Sequence, residues 1–261
     1  MNTLRLFCVS LLLLPAGLLA AQDSANPPMK GFDLEGSDPM AIEIADKVMS
    51  AMGGRMAWDN TRYLSWSFFG EDQLWDKWTG RFRWQNDSMV VLMNIHTMAG
   101  MAYVDGEEIA PAEEFLQGAY RDWVNSGYWL MMPYKLKDSG VTLDYAGEGT
   151  MEDGTDAHIL TLTFSDVGLT PDNRYEVYVD RESMLVGQWS YYRDAADQEP
   201  GFTLPWQNWQ HYGDILLSDS RGMRTDGTPF ELPNVGVYDD LPDSMFEDPS
   251  RLDLTVLSAQ Q

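Results

Sequence analysis

Arg62-Tyr63-Leu64-Ser65-Trp66-Ser67-Phe68 sets the period of the chain at two. Leu64, Trp66 and Phe68 alternate with Ser65 and Ser67, the pattern of a strand with one face turned to a core. The alternation continues outward. Phe82 and Trp84 interleave with Arg81 and Arg83, and Met89, Val91, Met93 and Ile95 share one face of the next run. Strands packed this closely imply hairpins. Further strands are predicted at Val141 to Ala146, Ala157 to Phe164, Arg174 to Val179 and Met184 to Tyr192, with turns at Asp153-Gly154 and Asp180 to Ser183. Aromatic residues return at Trp206, Trp209 and Tyr212, and short strands follow at Ile215 to Leu217 and Val235 to Tyr238.

Two helices punctuate these strands. Asp38 reads as an N-cap with Pro39 in the first turn, and Ala41, Ile44, Ala45, Val48, Met49 and Met52 recur at helical spacing until Gly53. Pro111 opens a second helix with Glu113 and Glu114 in its first turn, an inner stripe of Leu116, Ala119, Tyr120 and Trp123, and Gly127 as its stop. No repeat of fixed period and no alternation of strand and helix occurs. The pattern therefore predicts an α+β fold: a curved antiparallel sheet, an incomplete β-barrel of roughly nine to eleven strands, capped by two or three helices.

Ahead of this pattern lies a different kind of segment. Arg5 precedes an apolar run from Leu6 to Leu19 and the small residues Ala20 and Ala21. The run contains Pro15 and Gly17 and is shorter than the roughly 20 residues a membrane-spanning helix needs, so residues 1–21 are expected to be an export signal cleaved after Ala20 or Ala21. The expected product is periplasmic or extracellular, without a transmembrane segment. Cys8, the only cysteine, leaves with the signal, so neither disulfides nor thiol chemistry is expected afterwards. Residues 22–37 read as a flexible lead-in, 38–249 as a single half-barrel domain and 250–261 as a flexible tail.

Charge narrows the functions. The chain carries 17 Lys and Arg against 41 Asp and Glu, a formal net charge of −24. Phosphate backbones would be repelled, so nucleic acid is not an expected partner. His96, His158 and His211 lack a second ligand at zinc-site spacing, and Asp153-Gly154-Thr155-Asp156 lacks the alternating acids and closing glutamate of a calcium loop. Neither a G-x-S-x-G elbow nor a phosphate-binding or dinucleotide fingerprint is present. No catalytic residue, metal ligand or cofactor is assigned from the sequence.

A resemblance adds to this reading. The segment from Tyr128-Trp129-Leu130-Met131-Met132-Pro133-Tyr134 to Val141, with Met52-Gly53-Gly54, Trp75 to Gly80, Tyr175 to Asp180 and Gln188 to Tyr192, resembles an exported bacterial family of unknown function. More distantly, the order of elements is similar to the lipoprotein-carrier superfamily that includes LolA, LolB and RseB. That resemblance implies a half-barrel holding a lipid chain or a peptide in an apolar concavity.

Ten Trp and sixteen Met are the most unusual feature of the composition. Large rings fill the core of a curved sheet, and aromatic walls with adaptable methionines also suit an acyl chain or a sugar face. Trp66, Phe68, Trp129, Trp189 and Tyr191 are the candidate lining residues. Trp75 and Trp78 are candidates for a sugar-stacking platform, although in a regular strand they point to opposite faces. Lys135, after Pro133, is a candidate for neutralising a lipid phosphate or carboxylate, as is Lys137. Three functions remain open: a non-catalytic binder of an apolar or lipid-like ligand, a carbohydrate-binding or carbohydrate-acting protein, and an envelope sensor that binds a partner protein.

Overall fold

The computed structural model describes residues 25–165 and 168–259. The predicted signal lies outside these residues.

The first helix forms as its cap dictates. In α1 (Pro39–Ala51) the Asp38 carboxylate accepts the Met40 N–H at 2.7 Å, and Ala41, Ile44, Ala45, Val48 and Met49 are buried. Gly53 then takes a φ of 107°, a left-handed value that releases the chain into the short helix α2 (Gly54–Asn60). Four hairpin-linked strands follow: β1 (Tyr63–Phe68), β2 (Glu71–Asp76), β3 (Arg81–Gln85) and β4 (Met89–Asn94). With β5 (Gly100–Val104) and β6 (Glu107–Ile109) they form a sheet closed at its other edge by a late strand, β15 (Gly236–Tyr238).

Helix α3 (Glu113–Met131) crosses the inner face of this sheet. It does not stop at Gly127. That glycine lies where the helix meets β1: an added Cβ would sit 3.0 Å from Met131 Cε and 3.9 Å from a Trp66 ring carbon. A side chain there would press only on the flexible end of Met131, and the helix runs on into a 3₁₀ turn, Met132–Lys135.

The remaining strands make two further antiparallel sheets. One has the order β11-β10-β9-β8-β7, from β7 (Val141–Thr150), β8 (Asp156–Phe164), β9 (Arg174–Asp180), β10 (Val186–Tyr192) and β11 (Phe202–Pro205). The other joins β12 (Gln207–Tyr212), β13 (Ile215–Met223) and β14 (Pro229–Glu231). The fold is thus α+β, with three antiparallel sheets not closed into a barrel. Leu64, Val91, Leu160, Val177 and Leu217, drawn from all three sheets, share one core with α1 and α3.

Tyr134 in the 3₁₀ turn ties these layers together. Its hydroxyl lies within donating distance of the Met52 carbonyl at 2.9 Å and the Leu216 carbonyl at 2.8 Å, and its ring stacks on Trp58 with centroids 4.3 Å apart. Burial pushes the phenol well above its usual range.

The stretch read as a lead-in and the carboxyl-terminal stretch that begins within the domain at Leu241 both make contacts in the structure. In the stretch read as a lead-in, Phe32 is buried, Met29 N–H donates to the Lys137 carbonyl and Asp33 N–H to that of Val141. In the stretch from Leu241 through helices α4 (Ser244–Glu247) and α5 (Leu254–Ser258), Leu241 and Phe246 cover Tyr63 and Leu74 on the outer face of the seven-stranded sheet. Two polar residues of β3 on that same outer face pin it. Buried Arg83 donates to the carbonyls of Met245 at 2.7 Å, Ser250 at 3.2 Å and Asp248, and Gln85 exchanges hydrogen bonds with the Leu252 backbone at 2.6 and 3.1 Å.

Candidate functional site: an aromatic seam where three sheets meet

The strand parity that buries Trp66 also buries Phe68 beside the C-terminal half of α3, and at that place the other two sheets bring up rings of their own. Trp189 of β10 stacks on Tyr175 of β9 with centroids 5.2 Å apart and an interplanar angle of 14°. Trp129 of α3 meets Trp189 edge-on at 4.9 Å, Phe202 of β11 at 5.5 Å and Phe230 of β14 at 5.2 Å. Phe68 lies 5.7 Å from Trp129, and Phe69 lies 5.6 Å from Phe230. These spacings are those of favourable aromatic pairs. The result is a continuous run of rings from Trp189, 1% exposed, to Phe69, 67% exposed.

Of the sequence candidates, Phe68, Trp129, Trp189 and Tyr191 come together in this seam, Tyr191 through Phe202 at 5.0 Å. Trp66 neighbours it, fully buried, with its indole N–H donating to Ser126 Oγ at 3.0 Å. The interior at Trp66 and Trp189 is filled by their own rings.

Trp75, Trp78 and Lys135 stand elsewhere. Trp75 is buried against Trp123 at 5.3 Å, whereas Trp78, past the end of β2, is 58% exposed and donates its indole N–H to the Asp59 carbonyl. The two rings form no common platform. Lys135 is ion-paired with Asp138, and Lys137 is buried with its ammonium on Asp46 and the Asn26 carbonyl. Both lysines serve local acids and backbone.

The lip of the seam holds residues that sequence reasoning did not single out. Phe69 and Gly70 are the two central residues of the β1–β2 turn, with φ of 50° and 86°. Both are left-handed, as a type I′ turn requires, and a phenylalanine at such a position is strained. Met223 is 61% exposed at the end of β13. Arg224 lies over both Phe69 and Phe230, 5.1 and 4.9 Å from their centroids. Deeper in, fully buried Arg221 stacks on Trp206 at 3.5 Å and donates to the Trp129 carbonyl at the end of α3. Burial lowers this guanidinium to about 9, which leaves it charged at neutral pH. The one advance signal was the dipeptide Phe69-Gly70 directly after an alternating strand.

Two pockets lie outside the seam. A groove of about 330 Å³ between the three-stranded sheet and α5 is lined by polar residues including Asn208, Tyr212, Asp219 and Glu231. A pocket of about 10 Å³ beside α1 includes Asn26, Arg55 and Lys137. Among the described residues no group of three or more His, Cys, Asp or Glu is placed to hold a metal ion, and no helix is long and apolar enough to cross a membrane.

No protein-family model matches the chain, and no curated protein matches it. Among solved structures it is similar to a DUF1329 family protein from Desulfovibrio piger, at 14% identity over 81% of this chain and 98% of that one, with a TM-score of 0.44. It is also similar to a putative outer membrane lipoprotein-sorting protein domain from Vibrio parahaemolyticus, at 12% identity over 84% of this chain and 98% of that one, with a TM-score of 0.44. A third likeness is to MucB, at 13% identity over 77% of this chain and 57% of that one, with a TM-score of 0.23.

Proposed function

We propose that this chain is an exported binding protein that takes an apolar, lipid-like chain at the aromatic seam and releases it unchanged. The observation that carries this reading is the unbroken run of rings from buried Trp189 through Trp129 to exposed Phe69. Exposed large apolar side chains continuous with a cluster of buried rings are what a binding surface for hydrocarbon presents. Trp129, only partly buried at the end of α3, is the ring whose rotation admits the chain. The apolar run from Leu6 to Leu19 supports delivery out of the cytoplasm.

The test is titration with an acyl chain brominated near its middle. Bromine in contact with an indole quenches its emission, so the expected result is saturable quenching that weakens in Trp129→Phe. Absence of quenching, together with no lipid retained in native mass spectrometry of the protein from its own host, overturns the reading. The filled interior at Trp66 and Trp189 favours a second reading, in which the same lip grips an apolar segment of a partner protein. Capture of an envelope protein that Phe69→Asn abolishes, without lipid binding, would establish it.

A further inference from the structure

We infer that the molecule bound at the seam is a single-chain anionic amphiphile, held as a monomer, whose headgroup is received by Arg224. This rests on the seam being the binding site. In a chain with 41 acids and 17 bases, a cation is ordinarily claimed by a carboxylate. Arg62 and Arg81 share Asp76, and Lys135 and Lys137 hold Asp138 and Asp46. Lys30, Arg121, Arg193 and Arg224 are in no such pair, and of these four only Arg224 lies over aromatic rings among the described residues. Its side chain makes no hydrogen bond or ion pair among the described residues, and it lies over the Phe69 and Phe230 rings. Asp226, two residues on, feels the charge of Arg224 but makes no ion pair with it, its carboxylate accepting the Thr228 N–H at 2.9 Å and hydroxyl at 2.7 Å.

A guanidinium held beside aromatic rings without a hydrogen-bond partner has its N–H fork available, and that fork matches a carboxylate or phosphate in two parallel hydrogen bonds. Buried Arg221, three residues earlier on the same stretch of chain, adds a second positive charge beside the seam. The lip therefore sets a free cation directly against exposed hydrocarbon at Phe69 and Met223, the juxtaposition that an anionic amphiphile presents in complement. A bilayer surface bearing the same headgroups is the poorer occupant, because a net charge of −24 opposes approach of the whole protein. A lone molecule meets that opposing field with a single charge.

The decisive experiment titrates the intact chain calorimetrically at low ionic strength with laurate and with its neutral glycerol monoester, each below its aggregation concentration. Laurate is expected to bind about tenfold more tightly, the effect of one charge-assisted contact at an exposed lip. Arg224→Gln is expected to bring the ratio of laurate to monoester affinity down to about one, whatever it does to the two affinities together, and Arg224→Lys to restore part of that ratio. Equal affinity for the two ligands, or a laurate preference that survives Arg224→Gln, overturns the inference and leaves the seam as a binding site. Binding of neither ligand overturns both. Binding to anionic vesicles alone, with no affinity for monomeric laurate, overturns the choice of a monomer.

Discussion

Replacing Phe69 by asparagine separates the fold from the function at the lip. Phe69 has a φ of 50° and is followed by Gly70 at 86°. Asparagine-glycine is the sequence such a turn prefers, whereas a bulky L-residue there carries roughly 1–2 kcal/mol of strain. Against that gain stands lost burial. Phe69 is 67% exposed, so about one third of a ring that typically offers roughly 200 Å² is covered. At about 25 cal/mol per Å² this contributes roughly 1.7 kcal/mol. The two effects nearly cancel, and Phe69→Asn should stay within about 1 kcal/mol of the parent in urea unfolding. Acyl-chain affinity should nevertheless fall about tenfold, because the ring that meets the ligand first is gone. A loss of stability beyond about 2 kcal/mol would refute the strain argument. Unchanged stability with unchanged affinity would refute the assignment of Phe69 to the lip.

Three further outcomes are expected. Lys77 lies 4.7 Å from the centre of the Trp58 ring, and burial lowers its ammonium from an ordinary 10.5 to about 8. Between those values the unfolded chain holds a proton that the folded one has released, so this group makes stability rise with pH across that window. Lys77→Met should flatten that rise, and an unaltered pH profile of the urea midpoint would count against the assignment. Arg83→Met removes the peg beneath the C-terminal stretch, and tryptic cleavage after Arg251 should accelerate about tenfold or more through local opening; an unchanged rate shows that Leu241 and Phe246 hold the stretch alone. Tyr134→Phe deletes the hydroxyl between Met52 and Leu216 and should cost about 1–3 kcal/mol in chemical denaturation, with full stability contradicting its bridging role.

Much of the scaffold was legible because it is written in local terms. The Asp38-Pro39 start, the alternation around Trp66 and the Asp153-Gly154 turn each follow from the residues at those positions. Gly127 reads as a stop, yet it lies within α3 with Met131 of the next turn and Trp66 of β1 as its neighbours, and the packing of the helix on the sheet carries the chain past it. Strand β2 was hidden because its buried face includes Gln73, a polar residue that breaks the expected alternation. The contacts of residues 241–258 were invisible for a related reason, since the polar Arg83 and Gln85 read as solvent-facing until the segment that covers them is known. At the site, the parity of Trp189 and Tyr191 could be read, but their union with Trp129, Phe202 and Phe230 requires the three sheets to be placed. Phe69 and Arg224 become significant only as a pair.

The pairing of β1 with β15 has a consequence for how the molecule comes into being. Ser65 Oγ lies 3.0 Å from the Tyr238 hydroxyl across a sequence separation of 173 residues. A chain emerging from its amino end therefore has the first strand's outer edge unpaired, and Arg83 and Gln85 uncovered, until residues 236–252 appear. Such long-range closure slows folding and leaves an open strand edge exposed to neighbouring chains in the interval. Truncations of even modest length at the carboxyl end should therefore show themselves first as aggregation during synthesis, before any effect on the finished protein can be measured.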